Sequence, residues 1–145
     1  MPSITVQAPA KLNLTLDVLG RRPDGYHEMK MVMQSVSLMD TLTLKTGPGE
    51  GISLSTNLGF LPVDGRNLAA AAAKKLAEAV GADFGHLTIT LNKRVPVCAG
   101  MAGGSSDAAA VLRGINELLG LGLPPEVLAR VGREVGSDVP YCVLG

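Results

Sequence analysis

The chain has 145 residues, enough for one domain with a real core, and its 46% apolar and 18% charged composition is that of a folded protein and not a disordered tail. A formal net charge of zero with two Tyr, two Phe and no Trp provides neither the basic surface nor the stacking platforms that nucleic-acid binding uses. No apolar run approaches membrane-spanning length and no basic stretch leads into one, so a cytoplasmic protein without a membrane partner is expected.

Residues 11–18 alternate, with Leu12, Leu14, Leu16 and Val18 on one face and Asn13, Thr15 and Asp17 on the other, the period of a half-buried strand. Pro23, Asp24 and Gly25 form a turn signal from which Tyr26 and His27 emerge, ahead of a strand-like run over residues 29–38. The alternating Met29, Met31 and Met33 suit one-face core packing better than metal binding. Further strands are predicted at residues 41–45, 52–56 and 87–91.

Asn67 precedes LAAAAAKKLAEAV, a run of strong helix formers that Gly81 ends. A second helix is predicted from Ser105 or Ser106, turning Ala109, Val111, Leu112, Ile115, Leu118 and Leu119 toward the core. A third follows Pro124 and Pro125, carries Glu126 in its first turn and stops near Gly136. The last residues, SDVPYCVLG, read as a loop entering a strand that stops at once, so a continuation past Gly145 is expected. The fold class is α+β, a β-rich N-terminal region packed against helices in one unit, 1–145. Cys98 and Cys142 are too few for a disulfide framework, and with only His27 and His86 no metal-ligand spacing is present.

Between the strand at 87–91 and the second helix lies VCAGMAGGSSDAA. Glycines let a backbone approach a ligand closely, and a helix that follows aims its unpaired N–H groups and positive dipole end at the same place, so a phosphate is the natural occupant. Ser105 and Ser106 add hydroxyl donors, and Asp107 either caps the helix or lies near a metal. The same residues also suit a plain strand-to-helix connection with Ser105 as N-cap. No lysine stands at Walker spacing, GxGxxG is absent, and the missing GxSxG argues against a hydrolase built on Ser106, His27 and Asp138. Nothing pairs Asp17, Asp24 and Glu28 as catalytic carboxylates.

Three segments in order resemble the GHMP small-molecule kinases. Pro96 to Ala109, PVCAGMAGGSSDAA, is similar to their PxxxGLxGGSSDAA phosphate loop, with Cys98, Met101 and Ala102 as mild departures. Ala8 to Leu14, APAKLNL, resembles their PAKxNL motif, and RPDGYHE around Tyr26 and His27 resembles a segment of one branch. The resemblance implies the N-terminal, ATP-binding domain of such a kinase (ribosomal protein S5 domain 2-like), incomplete at the C-terminus, with a third glycine-rich motif and a second α/β domain still to come. ATP and Mg²⁺ are the implied cofactors. The implied activity is phosphoryl transfer to a small-molecule alcohol, in that branch one in which methylerythritol is linked to cytidine diphosphate. A monomer or weak homodimer is expected.

The resemblance makes Lys11 and Asp138 the catalytic pair, where the residues alone also allow a solvated strand lysine and a turn or cap aspartate before Pro140. It places Asn13, Tyr26 and His27 on the acceptor, although Tyr26 also suits packing and His27 the surface. Nucleotide binding falls to Pro96, Val97, Cys98, Ala99, Gly100, Met101, Ala102, Gly103, Gly104, Ser105 and Ser106, with Asn67, Leu68 and Lys93 beside them. Ser106 is the implied Mg²⁺ contact. Other kinases of the family, acting on sugars or homoserine-like alcohols, a nucleotide-binding but inactive fragment, and a purely structural module are the alternatives.

Overall fold

The computed structural model describes residues 2–9, 39–59, 63–81, 84–94 and 103–144. The strands predicted at 11–18 and 29–38 lie outside the described residues. Four strands, β1 (Ser3–Pro9), β2 (Met39–Gly47), β3 (Ile52–Thr56) and β4 (His86–Asn92), form a sheet of order β1-β2-β4-β3. β2 runs antiparallel to both β1 and β4, whereas β3 and β4 are parallel and are joined through helix α1 (Leu68–Val80), the kind of crossover that parallel neighbours require. Helices α2 (Gly103–Leu118), α3 (Pro125–Val135) and α4 (Val139–Leu144) complete the described fold.

The period of two in the strands makes this sheet one-sided. Ile4, Leu44, Ile89 and Leu54 stand in register across all four strands on the helix-covered face. One residue along, Thr5, Thr43, Thr90 and Ser55 form a polar row on the other face, where the Thr5 and Thr43 hydroxyls lie 3.4 Å apart. A one-residue slip in any pairing would exchange the two rows, which is why the register is well specified.

α1 begins and ends as the sequence predicts. Asn67 Oδ1 accepts from Ala69 N at 2.9 Å, and Gly81 closes the helix at φ 62°. Its buried Ala69, Ala70, Ala72 and Ala73 are small, which brings its axis close to α2. α2 starts at Gly103, earlier than the predicted Ser105 or Ser106, because the glycines themselves take helical geometry. Ala109, Val111, Leu112 and Ile115 are fully buried as expected, and Leu118 and Leu119 are half-buried at the rim.

Gly114 is where α2 meets the sheet most closely: a Cβ there would lie 2.6 Å from Leu44 Cδ1 and 3.3 Å from Val6 Cγ1. Gly114→Ala is therefore expected to lower stability by about 1–2 kcal/mol despite its better helix propensity, since overpacking outweighs the propensity gain. Urea denaturation checks this; a variant more stable than the parent would mean that the contact is loose.

The C-terminal residues correct one expectation. Instead of a loop entering a strand, residues 139–144 form α4, with Val139 and Cys142 buried three residues apart on one helical face. Pro140 sits in the first turn, where its missing N–H is not needed. Cys142 is a buried thiol, and Arg113 Nη1 donates to its carbonyl at 3.2 Å, tying α4 to α2. Among the described residues no helix is long and apolar enough to cross a membrane.

Candidate functional site

The register brings the ends of β1, β3 and β4 and the start of β2 to one edge of the sheet, and α2 begins there. Asp40 continues the inward phase of Leu42 and Leu44, and Lys93 continues that of Leu87, Ile89 and Leu91. Both charged side chains therefore point into the core side of the sheet. They meet there: Lys93 Nζ donates to Asp40 Oδ2 at 2.7 Å and to Asp107 Oδ2, in the second turn of α2, at 3.0 Å. The Lys93, Asp40 and Asp107 side chains are 5%, 0% and 3% exposed, so the cluster is dry.

The main chain around Lys93 is held as firmly. Asn57, just past β3, donates through Nδ2 to the Lys93 carbonyl at 3.2 Å and accepts from Lys93 N at 2.8 Å. Arg94 N donates to Asp40 Oδ1 at 2.7 Å. With Asp40 and Asp107 both ionised, three charges would sum to −1 in a site without water, an unfavourable state that protonation relieves. Burial, then a hydrogen bond with the Asp40 side chain, pushes the Asp107 carboxyl up to about 8 against the pull of Lys93. Burial pulls Lys93 downward, but the charges and hydrogen bonds of Asp107 and Asp40 outweigh it and hold the ammonium above its ordinary range. Asp107 Oδ1 is buried and has no hydrogen-bond partner among the described residues.

The start of α2 is tied to two further elements. Ser106, 2% exposed, donates its hydroxyl to the Pro9 carbonyl at 2.5 Å, fastening the end of β1 to the first turns of the helix. Gly104 packs on α1, where a Cβ would stand 3.3 Å from Leu68 Cδ1. Leu68 and Gly104, two residues singled out for nucleotide binding, are thus neighbours in space although 36 positions apart in sequence. Gly104 is exposed and Ser105 half-buried at the mouth of the helix.

The other sequence-derived candidates fall as follows. Asn67 caps α1 beside Leu68. Lys93 turns inward, its ammonium held by two carboxylates, so it lies beneath the start of α2 and not at the surface. Asp138 is exposed just ahead of α4, and its carbonyl accepts from Cys142 N at 3.2 Å. Lys11, Asn13, Tyr26, His27, Pro96, Val97, Cys98, Ala99, Gly100, Met101 and Ala102 lie outside the described residues. Asp40 was missed, although a carboxylate in phase with Leu42 and Leu44 was a readable signal of a buried polar pair.

Comparison with known proteins fits this architecture. The family model described as "GHMP kinases N terminal domain" matches residues 67–145. Proteins named 4-diphosphocytidyl-2-C-methyl-D-erythritol kinase in Bacillus cereus (strain B4264) and Bacillus anthracis (strain CDC 684 / NRRL 3495) are each 51% identical to it over 142 residues, which is 98% of this chain and 49% of theirs. The chain thus spans about half the length of the curated relatives it matches. A crystal structure of 4-(cytidine 5'-diphospho)-2C-methyl-D-erythritol kinase superposes with a TM-score of 0.55 at 30% identity, over 99% of this chain and 47% of that one. Homoserine kinase from Cytophaga hutchinsonii shares the fold with a TM-score of 0.70 at 20% identity, covering 98% of this chain and 42% of its own. With the family's domain model spanning more than half of its residues and the same fold in these kinases, the chain belongs to the GHMP kinases.

Proposed function

We propose that this chain is the ATP-binding, N-terminal unit, residues 1–145, of a kinase that moves the γ-phosphate of ATP to the 2-hydroxyl of 4-diphosphocytidyl-2-C-methyl-D-erythritol, in isoprenoid precursor synthesis. The observation that carries this reading is the 51% identity, over nearly the whole chain, to curated kinases bearing that acceptor's name. The RPDGYHE segment supports the same acceptor, with Tyr26 and His27 proposed against its cytosine ring and Asn13 beside its alcohol.

Phosphoryl transfer needs little covalent help from protein; it needs charge stabilised and a hydroxyl held in line. In the proposed step the acceptor oxygen bonds to the γ-phosphorus, the bond to the bridging oxygen of ADP breaks, and the hydroxyl proton passes to the Asp138 carboxylate. Lys11, two residues beyond Pro9, stabilises the charge that develops on the transferring group. Main-chain N–H groups at the start of α2, with Gly103, Gly104 and Ser105, hold the phosphates, and Asn67 and Leu68 border the base. Mg²⁺ accompanies ATP and neutralises phosphate charge. Ser106 Oγ is the proposed protein contact for that ion, since it keeps lone pairs after donating to the Pro9 carbonyl.

The test is coupled ATP consumption by a chain of the relatives' full length. Turnover is expected with the cytidyl acceptor only, with kcat reduced about 10²-fold or more in both Lys11→Ala and Asp138→Asn. Equal turnover with homoserine or mevalonate would remove the acceptor assignment.

A further inference from the structure

We propose that Lys93, Asp40 and Asp107 form a positioning clasp, which sets where the first turn of α2 stands against the strand ends without touching the nucleotide. The inference rests on the nucleotide-binding reading above.

Three observations carry it. The first is connectivity: Lys93 Nζ joins β4 to β2 through Asp40 and to α2 through Asp107, while the next residue back, Ser106, joins α2 to β1 through Pro9. Consecutive residues of one helical turn are thus fastened to three strands. The second is rigidity, because Asn57 holds both main-chain polar groups of Lys93 and Asp40 holds Arg94 N, so the lysine cannot swing outward without leaving two buried carboxylates behind. The third is placement. Asp107 is 3% exposed and spends Oδ2 on Lys93 beneath the helix mouth, so it serves as the acceptor that fixes Lys93 and not as a contact to a ligand at the mouth. Main-chain donors bind phosphate well only when placed to within about half an ångström, and such placement comes from supporting hydrogen bonds of this kind.

Two substitutions separate this role from its rivals. Asp107→Asn keeps an acceptor for Lys93 Nζ, and Asp107→Ala removes it. MgATP affinity is measured by calorimetry on a chain of the relatives' full length at a temperature where denaturation curves place each variant on its folded baseline. The clasp predicts divergence, with Asp107→Ala weakening ATP at least tenfold and Asp107→Asn staying within twofold of the parent. A merely structural role would leave the affinity unchanged in both once folded, and loss of a direct contact would weaken both alike; either result overturns the clasp. Should Asp107→Ala fail to fold, Asp107→Ser, whose hydroxyl withdraws from Lys93, carries the same expectation. Absence of ATP binding in the parent chain would count against the proposed function alone. The clasp then stands or falls on amide-hydrogen exchange of residues 104–108, expected to be at least tenfold faster in Asp107→Ala than in Asp107→Asn; equal rates overturn it.

Discussion

Lys93→Met lowers the unfolding free energy by about 3–5 kcal/mol, the expected result of removing one partner from a buried charged cluster. The methionine fills most of the lysine's space, so the loss is electrostatic: Asp40 Oδ2 and Asp107 Oδ2 lose their donor in a site that water does not reach. Against a typical domain stability of about 5–15 kcal/mol, that is a large fraction. Adding Asp40→Asn to Lys93→Met removes the uncompensated charge and should recover more than half of the loss, because two partners deleted together cost less than one. Urea denaturation of the two variants is the measurement. A single variant within 1 kcal/mol of the parent on the ~1 kcal/mol scale of an exposed pair would show that the cluster is solvated.

The second large effect is a fall in stability from acid toward alkaline pH. Asp107 keeps its proton to about pH 8 in the folded chain, against an ordinary value of 3.8. Between those two values the unfolded chain has released that proton and the folded chain has not, so raising the pH favours unfolding throughout the window. Below 3.8 both states are protonated, and above 8 the loss is complete. Lys93, held above its ordinary 10.5, contributes stability that persists below that value and fades only at more alkaline pH, so it does not mask the trend. A rigid site would give about 1.4 kcal/mol per pH unit; relaxation and water entry reduce the whole to on the order of 3 kcal/mol. Denaturation at pH 5 and pH 9 should show the parent less stable at pH 9 and Asp107→Asn much flatter. Identical slopes in the two proteins would place the proton elsewhere.

Both effects arise in a cluster that no local reading of the chain contains. Lys93 stood out in the sequence as a basic residue ahead of a glycine-rich segment, and Asp107 as a cap or metal neighbour. What joins them is Asp40, 53 positions before Lys93, and that proximity exists because β2 lies between β1 and β4 in the sheet. Ser106 shows the same limit: nothing near it along the chain announces its bond to the Pro9 carbonyl, 97 positions away.

The local features were legible because their causes are local. Asn67 and Gly81 bound α1 through hydrogen bonds to residues within four positions, and the strands at Ile52–Thr56 and His86–Asn92 follow from alternation that any window of five residues displays. β1 was overlooked although Ile4, Val6 and Ala8 alternate in the same way, and α4 was read as a strand because a six-residue apolar stretch satisfies either period until packing chooses.

By itself, then, the order of residues determined the α+β class, the limits of α1 and α3 and the motifs that mark the family, all of which depend on near neighbours along the chain. Only the tertiary structure decided which buried charges share a site, because strand order and register bring Asp40, Lys93 and Asp107 together, and burial then sets their protonation. Electrostatic free energies depend on distance in space and on the exclusion of water, and neither quantity is written in sequence separation.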